Sequence, residues 1–335
     1  MKLPQTMRAM VLEAAQTSLV QKDLPLPVAS DEQVLIKVIA CGVCRTDLHI
    51  VDGELMHPKL PLIPGHEIIG TVVQKGPNVH ALKEGDVVGV PWLAHTCGKC
   101  RYCLQQKENL CEDALFTGYT VNGGYATFTV AYADYCIPLE DTLANASAAP
   151  LLCAGLIGYR SYSMIAPSAV NIGIYGFGAA AHILTQLAVA QQKNIYAFTR
   201  DGDESGQQFA RSLGAVWAGN SSATPPVKLD ASILFAPAGS LIPKALEHTG
   251  KGGSVICGGI HMSNIPSFPY SLLWEERKVM SVANLTRQDG QNFFDAITHV
   301  DIRTTTKCYP LEQANEALSD LKNGKLKGAA VLVMI

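Results

Sequence analysis

The sequence has little excess charge of either sign, and this excludes one large class of partners. Its 335 residues carry 26 Lys and Arg against 29 Asp and Glu, so the formal net charge is only −3. A protein that binds the phosphates of nucleic acid needs a basic patch or stripe. The composition therefore predicts no nucleic-acid partner, while 48% hydrophobic residues are enough to fill one large or two medium domains.

Apolar runs that direct a chain to a membrane or to secretion are also missing. The N-terminus MKLPQTMRAMVLEAA lacks the apolar core of about 7–15 residues that a signal peptide needs. The most apolar long window, 172–190, contains three glycines and several polar residues, which favour a strand, a turn and a buried helix over a membrane span. We therefore expect a cytoplasmic protein without a membrane segment, in which thiols stay reduced.

Cysteine, by contrast, is concentrated in one short stretch. The segment CGKCRYCLQQKENLC contains Cys97, Cys100, Cys103 and Cys111. Disulfides are not expected among reduced thiols, and this spacing lets one loop place four thiolates around a single tetrahedral zinc ion. An iron–sulfur cluster is the alternative, because similar spacings hold such clusters too. The stretch favours a structural zinc site and does not by itself indicate an activity.

Three further residues form a second candidate metal site. Cys44 follows the β-branched run 34–40, His66 follows a Pro-Gly turn and is expected to open a strand, and Cys153 lies in APLLCAGLIGYR. Two thiolates, one imidazole and an open fourth position are typical of catalytic zinc. Taken singly, each has an ordinary alternative: Cys41 and Cys44 as a redox pair, His66 as a core histidine, and Cys153 as a small buried hydrophobe.

The second half of the chain has the pattern of a nucleotide-binding domain. The segment VNIGIYGFGAAAHILTQLAVAQQ predicts a strand, a turn at Gly176 and Gly178, and a helix, with Ala181 at the third glycine position of the dinucleotide fingerprint. Strands and helices then alternate as far as GSVICGGI, which predicts a parallel, doubly wound sheet. The expected fold class is α/β, with a Rossmann domain over 154–285 and a β-rich, partly barrel-like domain over 1–153 and 286–335.

These stretches together resemble the zinc-dependent medium-chain alcohol dehydrogenases. The resemblance rests on GVCRTDLH, PLIPGHEIIGTVV, GDVVGV, the four-cysteine segment and CAG, and it runs nearly from end to end. It implies a GroES-like fold for the β-rich domain, reversible hydride transfer between a primary or secondary alcohol and NAD(P), and a homo-oligomer, either a tetramer or a dimer. Two other interpretations stay open: a non-catalytic relative that binds zinc and nucleotide, and a zinc-independent quinone or enone reductase.

The resemblance also implies roles for individual residues. It implies a catalytic zinc ion held by Cys44, His66 and Cys153. Glu67 would lie behind this metal as a transient ligand, and Asp47 would orient the histidine. It also implies a structural zinc ion held by Cys97, Cys100, Cys103 and Cys111. It implies a proton relay through Thr46 and His49, contacts of Arg45 and Arg287 with the cofactor phosphates, and a substrate pocket lined by Trp92 and Val51. Because Val51 stands where yeast-like members place a second tryptophan, we expect a pocket that accepts substrates larger than ethanol.

The end of the second Rossmann strand bears on the choice between NAD and NADP. In NAD enzymes an acidic residue about 20 positions after the glycines binds the ribose 2′-hydroxyl. Here Thr199 is followed by Arg200, and an arginine pairs well with a 2′-phosphate. NADP is therefore the favoured cofactor. Asp201, Asp203 and Glu204 follow at once, and an acidic side chain directed at the ribose would favour NAD instead.

Overall fold

The computed structural model describes residues 3–55 and 57–334, and the chain divides into two compact units. The β-rich unit comprises Met1–Cys153, Thr286–Gln291 and Arg303–Ile335, and the parallel-sheet unit comprises Ala154–Leu285 and Asn292–Ile302. The sequence led us to expect all of 286–335 in the first unit. Asn292–Ile302 lies with the second because its apolar residues pack there: the ring of Phe293 contacts Tyr159, with centroids 5.7 Å apart.

Strands predominate in the described part of the first 153 residues, and strands and helices mostly alternate after them. The strands are β1 Thr6–Val11, β2 Val20–Pro25, β3 Gln33–Val43, β4 Ile68–Lys75, β5 Val87–Val90, β6 Leu93–His95, β7 Leu115–Phe116, β8 Phe128–Tyr132, β9 Ile137–Pro138, β10 Asn171–Tyr175, β11 Asn194–Thr199, β12 Trp217–Asn220, β13 Leu229–Leu234, β14 Thr249–Cys257, β15 Lys278–Ser281, β16 Thr306–Pro310 and β17 Ala329–Val333. The α-helices are α1 Arg45–Val51, α2 Arg101–Leu104, α3 Ala154–Ser163, α4 Ala179–Ala190, α5 Glu204–Ser212, α6 Leu241–His248, α7 Arg287–Ile297 and α8 Ala314–Lys322. Short 3₁₀ segments occur at Glu108–Leu110, Ala133–Tyr135, Asp141–Leu143, Ala146–Leu152, Tyr270–Leu272 and Leu311–Gln313.

The sheet of the β-rich unit brings two distant segments of the chain side by side. Its strands are ordered β16-β17-β3-β4-β5-β9, and β8 also pairs with β3. Strands β3 and β4 are antiparallel, with Cys41 opposite Ile68. The end of β3, followed by Cys44, therefore lies beside the start of β4, preceded by His66. Strand β4 begins two residues after His66, later than predicted, since Gly65 adopts φ +97° and is not extended.

A large apolar core holds the β-rich unit together. Val34, Leu35 and Ile36 of β3 are all fully buried in it, so both faces of this part of the strand are covered. Leu318 on α8 and Leu332 on β17 belong to the same core. The C-terminal segment thus completes the hydrophobic interior of the N-terminal domain, and this interior supports the loops that follow β3 and precede β4.

The parallel-sheet unit has the strand order β12-β11-β10-β13-β14-β15, all strands parallel. This is the Rossmann order 3-2-1-4-5-6. Successive residues of β11 enter different clusters, Ile195 in one and Tyr196 in the other, so both faces of the sheet are covered. The α/β fold class is confirmed, whereas the sequence analysis missed the short strands β12 and β15, whose four residues carry too little periodic pattern.

Two expectations from composition can be compared with the fold. All ten cysteines are free thiols in this structure. None of the helices in 3–55 and 57–334 combines the length and the apolar character that a membrane span requires. The apolar window 172–190 instead forms strand β10, the glycine turn and helix α4.

Candidate metal centres and cofactor-binding turn

Four side chains from three separate segments converge in the β-rich unit. Cys44, His66, Glu67 and Cys153 each offer one ligand atom, and these atoms all lie within 4.8 Å of one another. The sulfurs of Cys44 and Cys153 are 3.6 Å apart. Two thiolates at about 2.3 Å from one tetrahedral ion are separated by about 3.8 Å, so the arrangement fits zinc. Sulfur and imidazole donors are also the ligands that zinc prefers.

Asp47 links the histidine to the cysteine loop. Its carboxylate is fully buried and accepts hydrogen bonds from the backbone N–H of Cys44 (2.9 Å) and from Nδ1 of His66 (3.1 Å). Cys44 is the N-cap residue of α1, so the helix start fixes its position. With Nδ1 of His66 donating to Asp47, loss of the Nε2 proton leaves a lone pair there that can bind a metal ion. This agrees with the role that the family resemblance implied for Asp47.

The protonation of this cluster favours a metal cation. The contact with Cys153 and the ring of His66 lower the pKa of the Cys44 thiol well below its ordinary value, so Cys44 is the first of the two cysteines to ionise. Burial raises the pKa of the Glu67 carboxyl well above its ordinary value. Several buried acidic groups in so small a volume repel one another, and a divalent cation offsets that repulsion.

The four remaining ligand candidates form a closed set between β6 and β7. The thiols of Cys97, Cys100, Cys103 and Cys111 lie within 4.8 Å of one another, with the pairs Cys100–Cys103 at 3.5 Å and Cys97–Cys111 at 3.6 Å. Backbone N–H groups of Lys99 and Cys100 lower the pKa of Cys97 to about 7, so a thiolate forms readily. These separations suit one central tetrahedral ion, which favours structural zinc over an iron–sulfur cluster.

The segment 97–111, which we call the cysteine lobe, is tied to the rest of its unit by residues that the sequence analysis did not single out. Thr96 donates its backbone N–H to the hydroxyl of Tyr135 at 3.0 Å. Buried Glu108 accepts the backbone N–H of Arg287 at 3.0 Å, and the Arg287 guanidinium lies 5.1 Å from the Tyr135 ring centre. Arg287, predicted to contact cofactor phosphate, is therefore held beside the lobe. A single glutamate such as Glu108 has no local sequence pattern that would predict its contact with Arg287, which is 179 residues away in the chain.

The predicted proton relay lies on helix α1. Thr46 is buried, and its Oγ1 is 3.8 Å from the sulfur of Cys44. His49 is half-buried, and its Nδ1 forms a hydrogen bond with the Glu54 carboxylate, a partner that the sequence analysis missed. Thr46 belongs to the first turn of the helix, and the capping position is taken by Cys44. Arg45, at the start of the same helix, is exposed.

Aromatic side chains cover one side of the His66 ligand. The ring of Trp92 meets the His66 imidazole edge-on, with centroids 4.9 Å apart. Trp92 also stacks on Phe116 at 5.3 Å and on Tyr119 at 5.7 Å, and neither of these partners was predicted. Val51, at the end of α1, packs against the core of the β-rich unit. The metal candidate therefore has an apolar aromatic wall on the side of Trp92.

The glycine turn of the parallel-sheet unit has the geometry that binding of a pyrophosphate needs. Gly176 adopts φ +87°, and a Cβ there would come within 2.6 Å of the Ala236 nitrogen. Gly178 is the N-cap of the twelve-residue helix α4, and a Cβ there would meet nothing within 4 Å, so the helix start is open. Ala181 is fully buried. His182 donates from Nε2 to the Phe177 carbonyl at 3.0 Å and so fixes the turn.

The residues after β11 include one exposed cation and three acidic side chains. Arg200 is exposed at the end of the strand, after the buried Thr199. Asp201 accepts a hydrogen bond from the Ser222 hydroxyl at 3.1 Å. Asp203 caps helix α5 by accepting the backbone N–H of Gly206 at 2.9 Å. Two of the three acidic residues in this segment therefore already have partners within the protein.

Similarity to known proteins agrees with this geometry. Residues 30–141 match the alcohol dehydrogenase GroES-like domain. A probable alcohol dehydrogenase of Mycobacterium tuberculosis is 44% identical over 316 residues, which cover 92% of this chain and 91% of the relative. Among solved structures, an acetophenone reductase from Geotrichum candidum in complex with NAD has 28% identity and a TM-score of 0.86, covering 99% of this chain and 98% of that one. A cinnamyl alcohol dehydrogenase from Sorghum bicolor has 25% identity and a TM-score of 0.87, covering 98% and 97%. With this identity over nearly its whole length, the chain belongs to the zinc-dependent medium-chain alcohol dehydrogenases and is an NAD(P)-dependent oxidoreductase.

Proposed function

We propose that Cys44, His66 and Cys153 hold the catalytic zinc ion of this alcohol dehydrogenase, with Glu67 as a transient ligand, and that Cys97, Cys100, Cys103 and Cys111 hold a structural one. The observation that carries the proposal is the convergence of four ligand atoms from three segments within 4.8 Å, at sulfur spacings that suit a tetrahedral ion. Three protein ligands and an open position suit catalysis, while four thiolates form a closed site.

In the proposed reaction, zinc and the nicotinamide cofactor would supply the reactive groups, and the protein residues would bind and orient them. Zinc would act as a Lewis acid on the alcohol oxygen, and the oxidised nicotinamide would accept a hydride from the carbinol carbon, giving the carbonyl product and one proton. The thiolates of Cys44 and Cys153 balance the charge of a divalent ion, and Asp47 keeps the His66 ring in the orientation that presents Nε2. The Trp92 ring excludes water from the side of the site that it covers.

The released proton needs a route out of the buried site, and helix α1 offers one. Thr46 Oγ1 lies next to the ligand Cys44 and is buried, so it stands at the inner end. His49 is three residues further along the same helix, is partly exposed, and pairs with the exposed Glu54. A hydroxyl, an imidazole and a carboxylate in this order can pass a proton towards water. We assign Thr46 and His49 to this relay, with Glu54 as the outer partner.

A direct test measures zinc content and turnover on the same samples. We expect two zinc ions per chain, and we expect Cys153→Ser to lose one of them together with nearly all turnover while remaining folded. Cys308→Ser is a matched control, because Cys308 is exposed and belongs to neither ligand set. Turnover close to that of the wild type in Cys153→Ser would refute the catalytic assignment. Nothing in the geometry favours the zinc-independent reductase or the non-catalytic relative, since both ligand sets are assembled.

For the cofactor, we propose that the glycine turn binds the pyrophosphate and that Arg200 gives a preference for NADP over NAD. The open N-terminus of α4 supports the first part. The position of Arg200, together with the internal partners of Asp201 and Asp203, supports the second. We also propose Arg45, which is exposed at the start of α1, and Arg287 as contacts of the cofactor phosphates.

For the substrate, we propose an alcohol or carbonyl compound larger than ethanol, with Trp92 and Val51 in the pocket. The stack of Trp92, Phe116 and Tyr119 supplies an apolar aromatic surface next to the metal ligand His66. The similar solved structures include a cinnamyl alcohol dehydrogenase and an acetophenone reductase, both named for aromatic substrates. Catalytic efficiencies for ethanol, butanol and benzyl alcohol should increase along this series, and a sharp maximum at ethanol would refute the proposal.

For assembly, we propose a homo-oligomer, a dimer or a tetramer, that uses the edge of the parallel sheet. Strand β15 is the last strand of that sheet and leaves one side of its backbone unpaired within the described chain. Tyr270 and Trp274, close before β15, are 68% and 60% exposed. We expect light scattering to show an oligomer that Trp274→Glu weakens, whereas a monomeric wild type would refute the assignment.

We also infer that the protein acts in the cytoplasm, in line with the composition of the sequence. Six of the ten free cysteines belong to the two candidate ligand sets, and thiolate ligands must stay reduced to bind a metal ion. Fractionation of cells that produce the tagged full-length chain would test this. Recovery of active enzyme from a secreted or membrane fraction would contradict it.

A further inference from the structure

Tyr125 is a fully buried tyrosine whose backbone is fixed on both sides. Its N–H donates to the Pro64 carbonyl at 2.9 Å, and its own carbonyl accepts the N–H of Met10 at 2.9 Å. The neighbouring Gly124 donates to the Gly65 carbonyl at 3.0 Å. The segment that contains Tyr125 therefore runs along the Pro-Gly turn that leads into the ligand His66, and strand β1 holds it from the other side.

The ring of Tyr125 supports this turn directly. A Cβ at Gly65 would lie 2.3 Å from Tyr125 Cδ1, so the glycine backbone rests on the ring, and no larger residue fits there. The hydroxyl at the far end of the ring donates to Oδ2 of Asp47 at 3.1 Å. Burial, reinforced by the charge of Asp47, raises the pKa of the Tyr125 hydroxyl well above its ordinary value, so the group stays protonated and acts as a donor.

The carboxylate of Asp47 thus has three donors. Its Oδ2 accepts from the Tyr125 hydroxyl and from the Cys44 backbone, and its Oδ1 accepts from His66 Nδ1. The hydrogen bond between Asp47 and His66 forms only when the carboxylate keeps this orientation. The Tyr125 hydroxyl binds the other carboxylate oxygen and so restrains the carboxylate from rotating away. We propose that Tyr125 is a positioning residue of the catalytic metal site, acting through Asp47 on both His66 and Cys44. This rests on the proposed zinc ligation by Cys44, His66 and Cys153.

The chain supplies a matched control at the other metal site. Tyr135 is also buried, and its hydroxyl accepts the Thr96 backbone N–H at 3.0 Å and contacts Thr96 Oγ1 at 2.6 Å. Thr96 immediately precedes Cys97 of the cysteine lobe. Replacing either tyrosine by phenylalanine removes one hydroxyl and keeps the ring. The two substitutions therefore perturb the surroundings of different metal sites by the same chemical change.

The test is the release of zinc from the fully loaded enzyme to an excess of a coloured chelator. Cys153→Ser and Cys103→Ser, which each lack one ligand of one site, assign the two phases of release to the two sites. We expect Tyr125→Phe to accelerate release from the catalytic site about tenfold and to leave the lobe phase unchanged, because loss of such an outer partner typically costs 10–100-fold in metal affinity. Tyr135→Phe should accelerate release from the cysteine lobe and leave release from the catalytic site unchanged. Release from the catalytic site within twofold of the wild type, or equal acceleration of both phases, would overturn the proposal.

Two further measurements separate this proposal from simpler causes. If Tyr125 acts through Asp47, the double variant Tyr125→Phe/Asp47→Asn should release catalytic zinc no faster than Asp47→Asn alone. Additive effects would show a general loosening and overturn the inference. A wild-type protein that binds one zinc ion, with release unchanged by Cys153→Ser, would instead refute the catalytic site itself. A Tyr125→Phe variant that unfolds at the wild-type temperature while releasing zinc faster supports the positioning role.

Discussion

Replacing Arg200 by alanine should convert an NADP-preferring enzyme into one that uses NADP and NAD about equally. The guanidinium is exposed at the end of β11, where NAD enzymes place an acidic side chain. Asp201 and Asp203 do not substitute for that acid, because the former binds Ser222 and the latter caps α5. Removing Arg200 therefore removes an attraction for the 2′-phosphate and leaves the contacts with the 2′-hydroxyl essentially unchanged.

The size of the effect follows from the exposure of Arg200. A hydrogen bond to a charged group contributes about 1.5–3 kcal/mol, and solvent screening of an exposed group favours the lower end of that range. A contribution of about 1.5 kcal/mol corresponds to roughly a tenfold change in an equilibrium constant. We therefore expect kcat/KM for NADP to fall about tenfold in Arg200→Ala, with a change of less than about twofold for NAD.

The assay measures kcat/KM with both cofactors at low and high ionic strength. The preference of the wild type for NADP should shrink as salt increases, since the contact is exposed, and this salt dependence should be absent in Arg200→Ala. Arg200→Lys is the control that keeps the charge but loses the bidentate fork, so it should retain part of the preference. A wild type that prefers NAD, or NADP kinetics that do not respond to the loss of Arg200, would refute the reasoning.

Three other perturbations test separate parts of the structure. Cys103→Ser should lower the unfolding temperature and the zinc content by one ion per chain, because a closed site contributes folding energy, and unchanged values of both would contradict the structural site. His182→Leu removes the donor to the Phe177 carbonyl, so KM for the cofactor should rise several-fold with kcat nearly constant, and an equal rise in KM for the alcohol would argue against a role in the glycine turn. His248 is buried beside the Tyr175 hydroxyl, and burial lowers its pKa to about 4. Because the fold disfavours the charged ring, stability is highest above pH ~6.5 and falls, by on the order of a few kcal/mol at most, as the pH decreases from ~6.5 to ~4. Urea unfolding of His248→Asn should show a smaller loss of stability over that range, and identical pH profiles would exclude the effect.

Local patterns predicted the cysteine lobe and the glycine turn, because each lies within one short segment. The four lobe cysteines occupy fifteen residues, and the strand, turn and helix around Gly176 follow one another without interruption. In both cases the residues that act together are neighbours in the chain, so spacing and periodicity carry the information. The proposed catalytic ligands differ from these, because Cys153 is 109 residues away from Cys44.

Packing of the 3₁₀ segment Ala146–Leu152 explains how Cys153 reaches the other ligands. A Cβ at Gly89 of β5 would lie 2.5 Å from Leu152 Cδ2, so the segment can approach the sheet closely only because a glycine stands there. Leu152 itself is fully buried. No local pattern in the sequence reveals such a contact, and the family resemblance alone placed Cys153 with Cys44 and His66. The same limit explains why Tyr125 and Glu54 were missed, since a lone tyrosine or glutamate has no periodic signature.

The difference between the two metal sites has a consequence for how each gains its ion. The lobe closes a loop of fifteen residues, so its entropic cost is small, and zinc can order it before the surrounding sheet is complete. The catalytic set needs β3 and β4 in register and the 3₁₀ segment docked on β5, so its ligands meet only in the folded β-rich unit. Zinc bound by the lobe is therefore coupled to folding, whereas the catalytic ion binds to a site that folding has already formed. Exchange of the catalytic ion should then proceed without unfolding, at a rate set by the partners of His66 and Cys44, and for this reason the hydroxyl of Tyr125 is expected to control it.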